Sequence, residues 1–181
     1  MSMKLSFELS DRDLKYFRDA LAASRNAVRD AEESEIIEAI RQVLDDIRGN
    51  QPLPDFVARR IPELEALIMM LLDDEWRLPR GDRERLLAAF VYFGDPEDIL
   101  PDDVPVIGYL DDVIMIELVN RELRHVREAY GDFCRFRDDF DADNGSEVDG
   151  AVRRDRLDRR RRQLHQRMRR RTARDRKAKL W

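Results

Sequence analysis

Residues 95–112 hold six aspartates in eighteen positions: Asp95, Asp98, Asp102, Asp103, Asp111 and Asp112. Hard oxygen donors at that density are the chemistry of a Mg²⁺ or Ca²⁺ site. Asp95, Asp98, Asp102, Asp111 and Asp112 are therefore candidate metal ligands, and a divalent-metal-binding protein or metal-dependent hydrolase is one reading of the chain. A structural reading competes with it. Pro96, Pro101 and Pro105 each fix φ and push the preceding residue toward an extended shape, so the loop loses little entropy on folding. Aspartates in such a loop accept from backbone N–H groups at turns and helix starts, and Gly108 suits a positive φ. No spacing among the carboxylates is diagnostic of a ligand set, whereas the prolines and glycine call for a capped, rigid crossing. The structural reading is favoured, and no cofactor is expected.

Other candidates for chemistry fail on their partners. Glu122-x-x-His125 has the spacing used in carboxylate-bridged two-metal bundles. The second histidine, His165, has Arg162 three residues before it in place of a glutamate. Asp139-x-Asp141-x-Asp143 begins like a calcium loop, but Asn144 and Gly150 occupy its sixth and twelfth places. Cys134 lies between Phe133 and Arg135 with no histidine in a separate motif to activate it, so it is a packing residue rather than a nucleophile. Neither a glycine-rich phosphate cradle nor a nucleophile elbow is present. Enzyme readings rest on carboxylates alone, and the balance leans against an enzyme.

The stronger signal is a run of arginines. Residues 151–181 carry 15 Lys/Arg and 3 Asp/Glu, a net charge of +12, leaving 19 bases and 36 acids, or −17, on residues 1–150. The overall charge of −5 conceals this polarity. Arg159, Arg160, Arg161 and Arg162 form one cluster, and Arg167, Arg169, Arg170 and Arg171 a second. Guanidinium forks match phosphate geometry, and clustered ones displace counterions from a polyanion. A helix so rich in arginine and poor in apolar residues suits RNA or DNA backbone without base readout. Docking on an acidic protein surface, the chain's own or a neighbour's, and peripheral association with an anionic membrane are the alternatives.

The elements that hold these groups read as helical. The chain has 181 residues, 43% of them apolar and 40% charged, with only 7 Gly and 7 Pro. That composition favours an all-α fold. One cysteine excludes an internal disulfide and suggests a reducing, cytoplasmic setting. The long apolar runs, 66–72 and 86–93, are far short of the ~20 residues of a transmembrane helix.

A first helix is expected after Ser10, with Ser10 and Asp13 as a capping pair, and Leu14, Phe17, Leu21 and Val28 on its apolar stripe. A second is expected over 34–48 and a third over 56–72, kinked or broken at Pro62, its end buried all round. Leu78–Gly81 reads as a turn, Asp82 as the cap of a helix over 83–93, and 109–140 as one long helix whose stripe offers a homo-oligomer interface. Residues 141–150 read as a linker. In the basic arm, Leu157, Leu164 and Met168 form a stripe too narrow for a core of its own. The expected organisation is an acidic helical domain over 1–140, a linker over 141–150 and a basic helical arm over 151–181.

Residues 86–119 also carry an ordered motif: Tyr92, Pro96, Asp98, Pro101, Asp102, Pro105, Gly108, Asp111 and Asp112, flanked by apolar helices. In this the chain resembles the YkvA-like family, bacterial proteins with a small domain of unknown function. The resemblance implies a helical hairpin over about 82–122, with Tyr92, Pro96, Pro101, Pro105 and Gly108 as its structural residues, and it implies no reaction. Glu97 and Asp103 stand where that family usually has apolar residues, which argues against a membrane-embedded role. The expectation is a non-enzymatic interaction protein whose arm binds RNA, the ribosome or an acidic protein surface.

Overall fold

A computed structural model of the chain describes residues 8–28, 32–49, 54–93, 110–144 and 148–178. Its elements are α1 (Asp11–Ala27), α2 (Glu33–Gly49), α3 (Asp55–Ala58), α4 (Ile61–Leu72), α5 (Arg80–Phe93), α6 (Leu110–Glu122), α7 (Arg124–Asn144) and α8 (Gly150–Ala178). No strand occurs among the described residues, and the fold is all-α. The chain forms two compact units. The first comprises Met1–Ala58 and Glu84–Met115, the second Arg59–Arg83 and Ile116–Trp181.

In the first unit, α1 opens on a reciprocal cap. The Ser10 amide donates to Asp13 Oδ2 (2.9 Å) and the Asp13 amide donates back to Ser10 Oγ (3.4 Å), satisfying two N–H groups that the helix leaves unpaired. Hydrogen bonding to Ser10 holds the Asp13 carboxyl below its ordinary pKa. Phe17 and Leu21 from α1, and Ile36, Ile37, Ile40 and Leu44 from α2, are buried at helical spacing. The stretch Leu86–Phe90 of α5 is buried on every side.

The second unit is built from α4, α7, α8 and parts of α5 and α6. Pro62 splits the expected third helix, because its ring cannot sit inside a helix without displacing a carbonyl. It lies in the first turn of α4, where no N–H is required, and α4 starts with Glu63 and Leu64 donating to the Arg60 carbonyl (3.0 and 3.1 Å). Leu64, Leu67, Ile68, Met70 and Leu71 are buried. Met69 is 66% exposed and Leu72 39%, which corrects the expectation that this segment is buried all round. A helix of twelve residues turns some of its side chains outward unless neighbours surround it.

Two other boundaries differ from those expected. The turn lies at 73–79 rather than 78–81, and α5 starts at Arg80, with Asp82 and Arg83 donating to the Pro79 carbonyl (both 2.9 Å). Pro79 cannot continue a helix from its N-terminal side but starts one readily. The segment expected as one helix over 109–140 is two, with Leu123 at their junction. The ladder still passes through it, Leu123 N–H to the Val119 carbonyl (2.8 Å) and Arg127 N–H to the Leu123 carbonyl (2.9 Å).

The stretch expected as a linker is corrected in part. Residues 141–144 continue α7, and α8 begins at Gly150, where Asp149 Oδ1 accepts from the Ala151 amide (2.6 Å) as an N-terminal cap.

Candidate functional site

The hairpin motif is described at its two ends. Tyr92 near the end of α5 donates to Asp111 Oδ2 in the first turn of α6 (3.4 Å), and both residues are buried. Asp111 and Asp112 also sit where a carboxylate complements the positive end of a helix dipole. Asp95, Pro96, Asp98, Pro101, Asp102, Pro105 and Gly108 lie outside the described residues. Among the described residues no group of three or more His, Cys, Asp or Glu side chains is placed to hold a metal ion. What the described part provides is a buried phenol–carboxylate clip between the end of α5 and the start of α6, a structural arrangement.

The arginine-rich segment is a 29-residue helix, and its narrow apolar stripe has a partner inside the chain: α8 packs along α7. Leu157, Leu164 and Met168 are 3%, 2% and 2% exposed. They recur at the four- and seven-residue spacing of a helix–helix seam, with Arg161 completing the row. The seam ends on a turn that sequence periodicity does not mark. Asp73 Oδ1 accepts from the Glu75 and Trp76 amides (both 2.9 Å), and Arg77 takes a left-handed backbone conformation (φ 50°). Together these hold Trp76 wholly inside the unit. Its ring packs against Tyr130, Phe133 and His165, with the His165 imidazole edge-on at 4.4 Å between centroids.

Charge is neutralised around that turn. Arg137 Nη1 donates to Asp73 Oδ2 (2.8 Å), which also accepts from the Tyr130 hydroxyl (3.2 Å). Arg153 of α8 forks onto Asp141 (2.7 Å for both nitrogens) and reaches Glu75. Hydrogen bonding to Arg153 lowers the Asp141 carboxyl, and Asp141 and Glu75 in return raise the guanidinium. Burial raises the Tyr130 phenol. The same cause raises the half-buried Cys134 thiol, so that thiol is not activated as a nucleophile.

The eight arginines singled out from sequence divide by where they point. Arg161 is buried, donating to the Glu75 carbonyl (3.0 Å) and pairing with Asp158 (2.9 Å). Arg160 lies over the Phe136 ring at 5.4 Å. Arg167 pairs with Asp132 and Arg171 with Glu128 (2.6 Å for the latter), both partners being on α7. Arg159 pairs with Asp155 one turn away on α8. Arg162, Arg169 and Arg170 are exposed and have no ion-pair partner among the described residues. Exposed Arg154, Arg156 and Arg174, outside the clusters read from sequence, share that condition. Docking on an acidic surface is thus met partly within the chain, by Glu128, Asp132 and Asp141, and the outward guanidiniums are left over.

Both histidines lie along α7 and α8. His125 Nε2 is 2.6 Å from Asp175 Oδ2, which Arg124 also contacts, and hydrogen bonds from these two groups lower the Asp175 carboxyl. His165 sits between Trp76 and two arginines. Burial, aided by the charges of Arg161 and Arg169, pushes it down to about 4, so it is neutral at pH 7.

Sequence reasoning missed Asp73, Glu75, Trp76 and Arg153. The 73–77 turn has no periodicity to mark it, and only an Asp two residues before a Glu-Trp pair could have suggested an Asx turn.

Compared with known proteins, residues 85–118 match the model of a family described as a protein of unknown function (DUF1232). The match covers the α5–α6 hairpin region and leaves α8 outside it. No curated protein and no solved structure matches the chain significantly. Among the described residues no helix is long and apolar enough to cross a membrane.

Proposed function

We propose that the protein is a non-enzymatic interaction protein that holds nucleic-acid phosphates on the outer face of α8. The helices α5 and α6, joined through Tyr92 and Asp111 and bearing the YkvA-like order of residues, serve as a scaffold. The observation that carries this reading is the division of the arginines: the inner face of α8 is matched by the chain's own acids, while Arg154, Arg156, Arg162, Arg169, Arg170 and Arg174 face solvent unmatched. Fixed cations on a docked helix attract a polyanion without first ordering a flexible arm, which removes part of the entropic cost of binding.

An anionic membrane is less well served, because Val152 is the one exposed large apolar side chain on the described part of α8, and interfacial helices need an apolar face. No cofactor takes part in this reading, and the unpaired Cys134 accords with work in the cytoplasm.

The test is binding of the full chain to transfer RNA and to sheared DNA across a salt series. A phosphate-reading strip gives affinity that falls steeply with salt, and six Arg→Gln changes at the outward positions abolish it. Binding that ignores salt, or that survives the six substitutions, contradicts the proposal.

A further inference from the structure

The outward face of α8 is patterned as well as charged. The buried row Leu157, Arg161, Leu164, Met168 repeats about every seven residues, so positions seven apart stay in line along the helix. Opposite that row, Arg159, Gln166 and Ala173 form a crest. All three are exposed, and Arg159 is already paired with Asp155. Arg162 and Arg169 run along one shoulder of the crest, Arg156 and Arg170 along the other. All four are exposed and without a partner among the described residues.

A helix with its side chains is ~10–12 Å across, so the two shoulders hold their guanidiniums on the order of 10 Å apart. Along each shoulder the step of seven or fourteen residues corresponds to about 10 or 20 Å.

Two rails of cations beside a crest whose one arginine is already paired are the complement of two phosphate rails beside a groove. Resting on the polyanion reading above, we infer that the outer face of α8 enters the major groove of duplex DNA, with one arginine row on each strand's phosphates. A B-form major groove is ~12 Å wide and admits an α-helix. An A-form RNA duplex presents a narrow major groove that excludes one. Single strands are held chiefly by aromatic stacking platforms, and α8 contains no Phe, Tyr or Trp. On the crest Arg159 is held by Asp155 and Ala173 is apolar, which leaves Gln166 as the one side chain free to meet a base edge, so binding is set chiefly by backbone and groove shape and depends little on sequence.

The experiment is fluorescence anisotropy of the full chain with a labelled 20-bp DNA duplex, the RNA duplex of the same sequence, and each single strand. Each is measured from 50 to 200 mM salt, with circular dichroism showing that every variant is folded. The inference expects the DNA duplex to bind at least about tenfold tighter than any single strand or the RNA duplex. Its slope of log affinity against log salt should be about −4, for four phosphate contacts. R162Q/R169Q and R156Q/R170Q should each roughly halve that slope, because both rails are used. Equal binding of single strands, equal binding of the RNA duplex, or a slope changed by only one of the two pairs overturns the groove assignment while leaving phosphate binding standing. No binding to any of the four at 50 mM salt overturns both.

Discussion

Acidification isolates one buried group in the fold. His165 is neutral in the folded chain, with its pKa pushed down to about 4 from an ordinary 6.5, because the site against Trp76 is desolvated and Arg161 and Arg169 are near. The unfolded chain therefore binds more protons than the folded one between these values. Stability is at its full value above pH 6.5 and is lost as pH falls toward 4. At 1.36 kcal/mol per pKa unit the ceiling is roughly 3 kcal/mol, and the solvent that reaches this half-buried ring reduces it to about 1–2 kcal/mol. The assay is urea unfolding at half-unit steps from pH 7.5 to 4.0, for the parent chain and His165→Gln. Glutamine has no proton to gain, so the difference between the two curves should decline by about 1–2 kcal/mol across this window and be flat above pH 7. Asp13, Asp132, Asp141 and Asp175 have lowered pKa values, so their contributions persist to more acid pH and do not confuse the comparison. Parallel curves for the two proteins would refute the placement of His165 in a desolvated seam.

Three further outcomes follow from packing. Leu164→Ala should cost about 2–5 kcal/mol in urea unfolding, because Leu164 is 2% exposed between α8 and its neighbours, and a loss under 1 kcal/mol would mean that α8 is not docked. Met69→Ser should stay within about 0.5 kcal/mol of the parent in the same assay, since that side chain is 66% exposed, despite lying in the most apolar stretch of the chain. Ser10→Ala should cost about 1 kcal/mol through loss of the α1 cap, read as a lower thermal midpoint.

How much of this was legible beforehand depends on whether a feature is local. Ser10 and Asp13 announce the start of α1 through side chains three residues apart, and the Ile-rich face of α2 shows its period directly. Pro62 states its break because a pyrrolidine ring allows few alternatives. The exposure of Met69 was not legible, since it depends on which neighbours α4 has and not on α4 itself. The same holds for α8. Leu157, Leu164 and Met168 declare a stripe, but nothing local declares that α7 and Trp76 meet it. The hidden part of the candidate site follows from that: the sign and number of the arginines are plain in the sequence, whereas the sorting of Arg161, Arg167 and Arg171 onto partners within the chain and of Arg162, Arg169 and Arg170 to solvent needs the azimuth of a docked helix. The 73–77 turn was least legible, because its stability comes from Asp73, Arg137 and Tyr130, residues more than fifty positions apart in part.

The most direct test of the division between a holding face and a binding face is arginine modification of the folded chain by phenylglyoxal, mapped by mass spectrometry with and without duplex DNA at low salt. The account predicts that Arg156, Arg162, Arg169 and Arg170 react in the free protein and are protected by DNA, while buried Arg161 is unreactive in both. Arg161 reacting as fast as Arg162, or outward arginines that DNA leaves unprotected under conditions where it binds, would contradict it.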